Sequence, residues 1–437
     1  MVKDAPQKTE NHLFKKIAKS TGGITLLLTG IKVLGYAEKK VLAYYFGAGY
    51  QVDAYVVGFQ LTKAFWEFAR GLLSPSYLPT LIEQRAAAGE AKSWEFTSTV
   101  FNLMALVFIG IVALGLIFTP HIISLVAPGF AGERFQVAVG LTRLMLTGAA
   151  FFAIAIVTGL TLNSYKRFML AVTDDVVFKV SGFLGLVLLA RYIGIYGLGW
   201  GIVVGSWLAP FIHLIGLRKL LPFYKPIINL KLPPVRKMFR LMAPLVVGIT
   251  CAESRRLIDN FFASTLIIGS VSALEFGYRL IDFAYMALAE PLAVVVLPYF
   301  SSMAIEKYHA QMTDTLMTTL RTVMLMFTPM GVCLFMLRVP VVSLLFGGGK
   351  FDERATQLTV AALTYYAFGL VSFAVEVILT RFYFSLSDTT TPAITEVLTI
   401  TTHVGIIYAL IGTLAHGSMA LAFTLSKTVK VLVLYGL

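Results

Sequence analysis

Residues Cys251–Asn260, CAESRRLIDN, place Glu253, Arg255, Arg256 and Asp259 within seven positions, between the apolar runs LMAPLVVGIT and FFASTLIIGS. A charge at the centre of a membrane helix costs about 2.5–3.5 kcal/mol, so four so close together must face protein or water rather than lipid. At about 100° per residue, Glu253 and Asn260 point nearly together, Arg256 lies about 60° away, and Asp259 and Arg255 extend the arc to about 160°. The helix therefore has one polar side. Arginine on such a side suits a phosphate, because its planar fork donates paired hydrogen bonds and stays charged at any accessible pH. Local neutralisation is the competing reading: Glu253 with Arg256 at i+3, and Arg255 with Asp259 at i+4. A buried pair recovers its desolvation cost only with good geometry, so stability alone would favour leucine at all four positions.

Other ionisable residues interrupt apolar runs in the same way. Arg279 stands three residues before Asp282, and Lys32 is six residues from Glu38, deep in its own run. TDDVVFKV holds Asp174 and Asp175, with Lys179 four residues beyond the second. Adjacent carboxylates in a span hold protons tightly and suit proton coupling; a helix end at the cytoplasmic surface, just after NSYKRF, explains them equally well. Glu376 and Arg381 interrupt a later run, and Lys427 and Lys430 the last one. Pro291 predicts a kink. Cys251 and Cys333 sit in apolar runs, the six histidines show no ligand spacing, and GGGK lacks the context of a phosphate loop, so no metal, cofactor or enzymatic centre is expected.

These residues must be positioned by membrane helices. Of 437 residues, 57% are hydrophobic and 14% charged, and the mean hydropathy is +0.80. Crossing the hydrocarbon core takes about 20 apolar residues as a helix. Twelve candidate spans follow, at 17–38, 52–82, 96–119, 134–161, 168–191, 196–217, 238–266, 271–304, 318–345, 355–385, 391–412 and 416–435. The expected class is an all-α polytopic membrane protein. The net charge of +13 sits mostly in short connections, so it reports topology rather than a nucleic-acid partner. Lys3, Lys8, Lys15, Lys16 and Lys19 lie before or at the very start of the first span, and Arg218–Arg240 carries seven more cations; the positive-inside rule makes both cytoplasmic, and both termini with them. No removable signal peptide is read in the first twenty residues.

Residues 132–171 and 351–393 share an acidic-Arg start, a long apolar run and a polar turn, about 220 residues apart, and the stretch from Asp53 resembles that from Ser272. The repeats keep their orientation, which predicts two six-helix lobes, 1–217 and 238–437, joined by a cytoplasmic linker at 218–237, around a central cavity with alternating access.

LLFGGGKFDERATQLTVAALTYYAFGLVSFAVEVILTRFYFSLSDTTTP (344–392), VLGYAEKKVLAYYFGAGYQVDAYVVGF (33–59), LIDNFFASTLIIGSVSALEFGYRLIDF (257–283) and LPYFSSMA (297–304) resemble the MurJ/MviN family. These are lipid II flippases of bacterial cell-wall synthesis, within the multidrug/oligosaccharidyl-lipid/polysaccharide exporter superfamily. The resemblance implies a multi-pass protein of the bacterial cytoplasmic membrane that moves a polyprenyl-diphosphate-linked saccharide, with cell-wall synthesis proteins as candidate partners. It assigns Arg279 to the diphosphate, Lys32 to a basic position of the first helix and Asp53 to an acidic one. Glu38 and Lys39 stand where the family commonly has an Arg-Asp pair, and KAFWEFARG, with Lys63, Trp66, Glu67 and Arg70, replaces its paired arginines. Relatives carry two further spans that form a groove for the lipid tail. Some bind sodium among the seventh, eleventh and twelfth spans; here Asp259 matches the acidic position, Thr402 and His403 lie in the eleventh span, and Lys430 replaces an Asn, so no sodium site is expected. The site residues expected from pattern and resemblance together are Lys32, Asp53, Arg255, Arg256 and Arg279 for substrate, with Glu253, Asp259, Asp174, Asp175 and Lys430 for charge balance or coupling. An exporter of another amphiphile and a non-transporting scaffold are the alternative readings.

Overall fold

The computed structural model describes residue 27 and residues 29–437 apart from 307 and 387; the basic amino-terminal segment and the start of the first expected span lie outside the described residues. The described chain is helical: α1 (29–46), α2 (Tyr50–Val126), α3 (Gly132–Ser164), α4 (Phe168–Ala171), α5 (Thr173–Ile193), α6 (Tyr196–Leu217), α7 (Pro233–Ser264), α8 (Ser270–Ile305), α9 (His309–Met336), α10 (Arg338–Phe346), α11 (Glu353–Ser385), α12 (Thr390–Leu414) and α13 (Gly417–Gly436). Eight helices among the described residues are long and apolar enough to cross a membrane. The 32-residue α7 is long enough but is not among them, because it carries the charged stretch. Along α2, Leu106, Ile109, Leu114 and Ile117 are 59–64% exposed, an apolar stripe that only lipid would cover.

At 77 residues, α2 would measure about 115 Å if straight. It is instead a helical hairpin. The phenol of Tyr77 donates to Thr97, twenty positions on, at 3.3 Å, and stacks on Phe96. The expected connection EQRAAAGEAKS is itself helical, since Glu, Ala, Gln and Lys are strong helix formers. The reversal falls on Gly89, at φ 77° and ψ −179°, a region essentially confined to glycine. Nothing lies within 4 Å of where a Cβ would stand, so the penalty of Gly89→Ala is backbone strain alone. It should cost about 1–3 kcal/mol, read as a lower unfolding temperature of the purified protein; an unchanged temperature would contradict the hairpin.

Two helices recur at one offset. Helices α3 and α11 are 33 residues each, and α11 begins and ends 221 residues after α3 (132 to 353, 164 to 385); α13 begins 221 residues after α6 (196 to 417). Glu133–Arg134 and Glu353–Arg354 open the paired helices, and each arginine donates to a carbonyl near the end of α7: Arg134 to Ser264, Arg354 to Ile268.

The chain divides into two compact units, one of residues 1–41, 61–120 and 139–246, the other of 42–60, 121–138 and 247–437. In the first, α5 and α6 approach so closely that a Cβ on Gly185 or Gly201 would collide with the facing backbone, the small-residue contact of membrane helices. Trp66, Phe152 and Phe178 form its aromatic core, with ring centroids 4.8–5.4 Å apart. In the second, Phe276, Phe346 and Phe351 pack at 5.0–5.8 Å.

Candidate functional site

The charged side of α7 lies in the second unit, where it meets α8, α11, α12 and the first turns of α2. Arg255 donates to Asp259 at 2.7 Å, the i+4 pair that the spacing predicts. The other carboxylate oxygen of Asp259 lies 2.8 Å from Nε2 of His403 on α12. With Asp259 ionised, that nitrogen carries the proton, and Nδ1 is left buried without a partner. The Arg255 guanidinium also lies 4.0 Å from the Phe423 ring. Aspartate, histidine and aromatic face thus hold Arg255 firmly.

Arg279 is held as well, with Nε 2.8 Å from Glu275 and Nη1 3.5 Å from Asp282. Glu275 accepts from Gln60 at 3.2 Å, and Gln60 accepts from Asn260 at 2.8 Å, so one polar chain joins α8, α2 and α7. Arg256 is different. Among the described residues it enters no ion pair; its guanidinium carbon lies 5.7 Å from the Tyr278 ring. A cavity of about 30 Å³, enough for about one water, is lined by Arg255, Arg256, Asp259, Glu275, Tyr278 and Tyr366 among others. A second cavity, of about 150 Å³, also touches Tyr278 and reaches Asp282, Glu376 and Lys427.

Behind that cavity four charges join α11, α12 and α13. The Lys430 ammonium lies 2.6 Å from Glu376 and 2.5 Å from Glu396, and Lys427 is 3.1 and 3.7 Å from the same two carboxylates. Lys430 is only 4% exposed. Two cations and two anions balance, so the box is neutral as a whole.

Several expectations change. Asp53, expected to touch substrate, is fully buried and saturated: Arg134 donates to it at 2.7 Å, the Gly269 amide at 2.8 Å and the Ser272 amide at 2.7 Å. It holds the amino-terminal end of α8, where free N–H groups favour an anion, and its side chain is out of reach of solvent. Asp174 and Asp175 do not pair with Lys179; Arg70 reaches them from α2 at 3.3 and 3.4 Å. Lys179 instead lies 3.8 Å from Glu38, which is itself 3.7 Å from Lys39. These groups and the exposed Lys32 belong to the first unit, whereas Arg255, Arg256, Arg279, Glu253, Asp259 and Lys430 belong to the second. Pattern reading missed Gln60, Glu275, Tyr278, Tyr366 and Glu396. Only Glu275 carried a local signal, four residues before Arg279 on the same helix.

A helical chain with helices long and apolar enough to cross a membrane, exposed apolar stripes, a fixed internal offset and arginines around a polar cavity has the features of a multi-pass membrane transporter. The family model "Lipid II flippase MurJ" matches residues 42–437. The chain belongs to that family. A probable lipid II flippase MurJ of Buchnera aphidicola subsp. Schizaphis graminum is 27% identical over 96% of this chain and 82% of its own length. A lipid II flippase MurJ of Burkholderia cenocepacia is 27% identical over 87% and 75%. Among solved structures, a lipid II flippase MurJ in an inward closed conformation superposes with a TM-score of 0.81 at 24% identity, covering 94% of this chain and 86% of that one. An inward-facing multidrug resistance MATE family transporter of the MOP superfamily gives 0.80 at 13% identity, covering 92% of each. Both structural matches establish the fold.

Proposed function

We propose that this protein moves a polyprenyl-diphosphate-linked saccharide, lipid II or a closely related glycan lipid, from the inner to the outer leaflet of the bacterial cytoplasmic membrane. Membership of the flippase family supports the substrate class. The observation that carries the site is Arg256, a cation that enters no ion pair among the described residues, at the edge of a polar cavity whose other arginine, Arg255, is already held by Asp259. No bond is made or broken. The barrier is desolvation of the diphosphate, and fixed guanidinium donors lower it by replacing water at the phosphate oxygens.

Arg256 takes the first phosphate contact. Arg279 joins as the phosphate displaces Glu275 or Asp282, and those carboxylates reclaim it when the substrate leaves, so the cations never hold the diphosphate too tightly. Lys32 is proposed as a further contact from the first helix. The twelve spans form two six-helix repeats joined by the linker at 218–237, with both termini cytoplasmic, and the protein works as a transporter without enzymatic chemistry. A cavity for organic cations would be acidic and aromatic without spare arginine, which disfavours drug export.

The Lys430 ammonium fills the space between Glu376 and Glu396 that a bound cation would otherwise neutralise. Transport is therefore independent of sodium. Rates measured in sodium and in choline buffers should coincide; sodium-dependent binding that disappears in Asp259→Asn would contradict this. The functional reading itself is tested in proteoliposomes holding a fluorescent undecaprenyl-diphosphate disaccharide. Protein-dependent movement of the label to the opposite leaflet is expected, and none would leave only a scaffold role.

A further inference from the structure

The first unit contains a cavity of about 260 Å³ that has no part in the charge network described above. Its walls are apolar, formed by Trp94 and Phe101 on the second arm of α2, Leu214 and Leu217 at the end of α6, and Leu221 and Tyr224 beyond it. A water's share of liquid volume is about 30 Å³, so the space admits about nine water-sized groups, a large part of one lipid chain.

One wall is the linker after α6, and it is fixed in place. The Tyr224 phenol donates to Asn102 at 2.7 Å, and Asn102 donates to the Ile227 carbonyl at 2.9 Å. The Lys225 amide donates to Ser98 at 3.1 Å and the Asn229 amide to Thr99 at 3.4 Å. Tyr224 also packs edge-on against Phe101, at 5.8 Å. This segment is a built lid. The segment carries Arg218, Lys219 and Lys225, all exposed and within two residues of residues that line the cavity, with exposed Leu221 and Phe223 among them. An apolar chamber with a cationic rim complements a molecule that has an alkyl chain and an anionic head.

We propose that this cavity is a binding site for an anionic phospholipid of the surrounding membrane, with one acyl chain between α2 and α6 and the phosphate at Arg218, Lys219 and Lys225. The site lies within the first unit and is separate from the arginines assigned to the transported substrate. Each cation near an anionic head group favours binding by about fivefold, so the three together give a strong preference over a zwitterionic lipid.

Trp94 is the reporter. The full-length protein carrying Trp66→Phe, Trp200→Phe and Trp207→Phe, which leaves it as the sole tryptophan, is reconstituted with phosphatidylglycerol or phosphatidylcholine brominated on the acyl chain. Stronger quenching by the brominated phosphatidylglycerol at equal mole fraction is expected. Arg218→Gln, Lys219→Gln and Lys225→Gln together alter only exposed side chains, so the fold is kept, and should abolish that preference. Leu214→Phe, which fills the cavity, should lower the quenching by both lipids. Equal quenching by the two lipids, a preference that survives the triple charge variant, or displacement of the brominated lipid by a polyprenyl diphosphate would each overturn the proposal, the last by showing that the chamber serves the substrate's tail.

Discussion

Replacing the buried Lys430 with methionine is expected to cost up to about 3–5 kcal/mol of stability, because it leaves two largely buried carboxylates, 14% and 17% exposed, without their closest counter-charge. The ammonium is 2.6 Å from Glu376 and 2.5 Å from Glu396, whereas Lys427 reaches only Glu376 closely, at 3.1 Å, and stays 3.7 Å from Glu396. Methionine matches the length of the lysine stem and packs acceptably, so the loss is electrostatic rather than steric. Thermal unfolding in detergent measures it. Neutralising the partners as well, with Glu376→Gln and Glu396→Gln in the same chain, should recover much of the loss, since a buried ion network can be exchanged for neutral groups at little net cost. A Lys430→Met protein that unfolds at the wild-type temperature would show that the box does not hold α11, α12 and α13 together.

The second large effect concerns transport alone. Arg256→Gln should reduce flipping in proteoliposomes by about 100-fold or more, as losing one preorganised donor to a developing or desolvated anion does elsewhere. Its unfolding temperature should change little, because among the described residues Arg256 enters no ion pair, and the Tyr278 face at 5.7 Å is worth about 0.5–1 kcal/mol. The opposite pattern is expected at Arg255: its ion pair with Asp259 and its place over Phe423 are structural, so Arg255→Gln should lower stability together with activity. Wild-type transport by Arg256→Gln would remove that residue from the substrate path.

The amino-acid sequence made the fold class legible because apolar runs of membrane length recur throughout, and the register of the repeat was readable to within a residue or two of the 221 found. Pairs on one helix were legible as well. Arg255 with Asp259 and Arg279 with Asp282 follow from spacing, because residues three or four apart are neighbours on any helix. Contacts between helices were not legible. Arg70 finds Asp174 across 104 positions, Lys430 finds Glu376 across 54, and Asp53 finds Ser272 across 219. Periodicity says which side of a helix is polar and nothing about what faces it. For that reason the sequence placed Asp53 among the substrate residues without showing that Arg134 and the start of α8 surround it, and Lys179 looked like the partner of Asp175 when Arg70 is. The reversal between the spans at 52–82 and 96–119 was expected, but the helical character of its connection was not: the residues flanking Gly89 favour helix, so the turn rests on a single glycine's backbone.

The central claim, that this chain moves a lipid-linked cell-wall precursor by way of Arg256, is tested most directly by replacement in a living cell. A bacterium whose own lipid II flippase is depleted should keep growing when it expresses this protein and should lyse when it expresses Arg256→Gln at the same level. Lysis with the wild-type protein, despite good expression in the membrane, would contradict lipid II as the substrate, and equal growth with both forms would contradict the site.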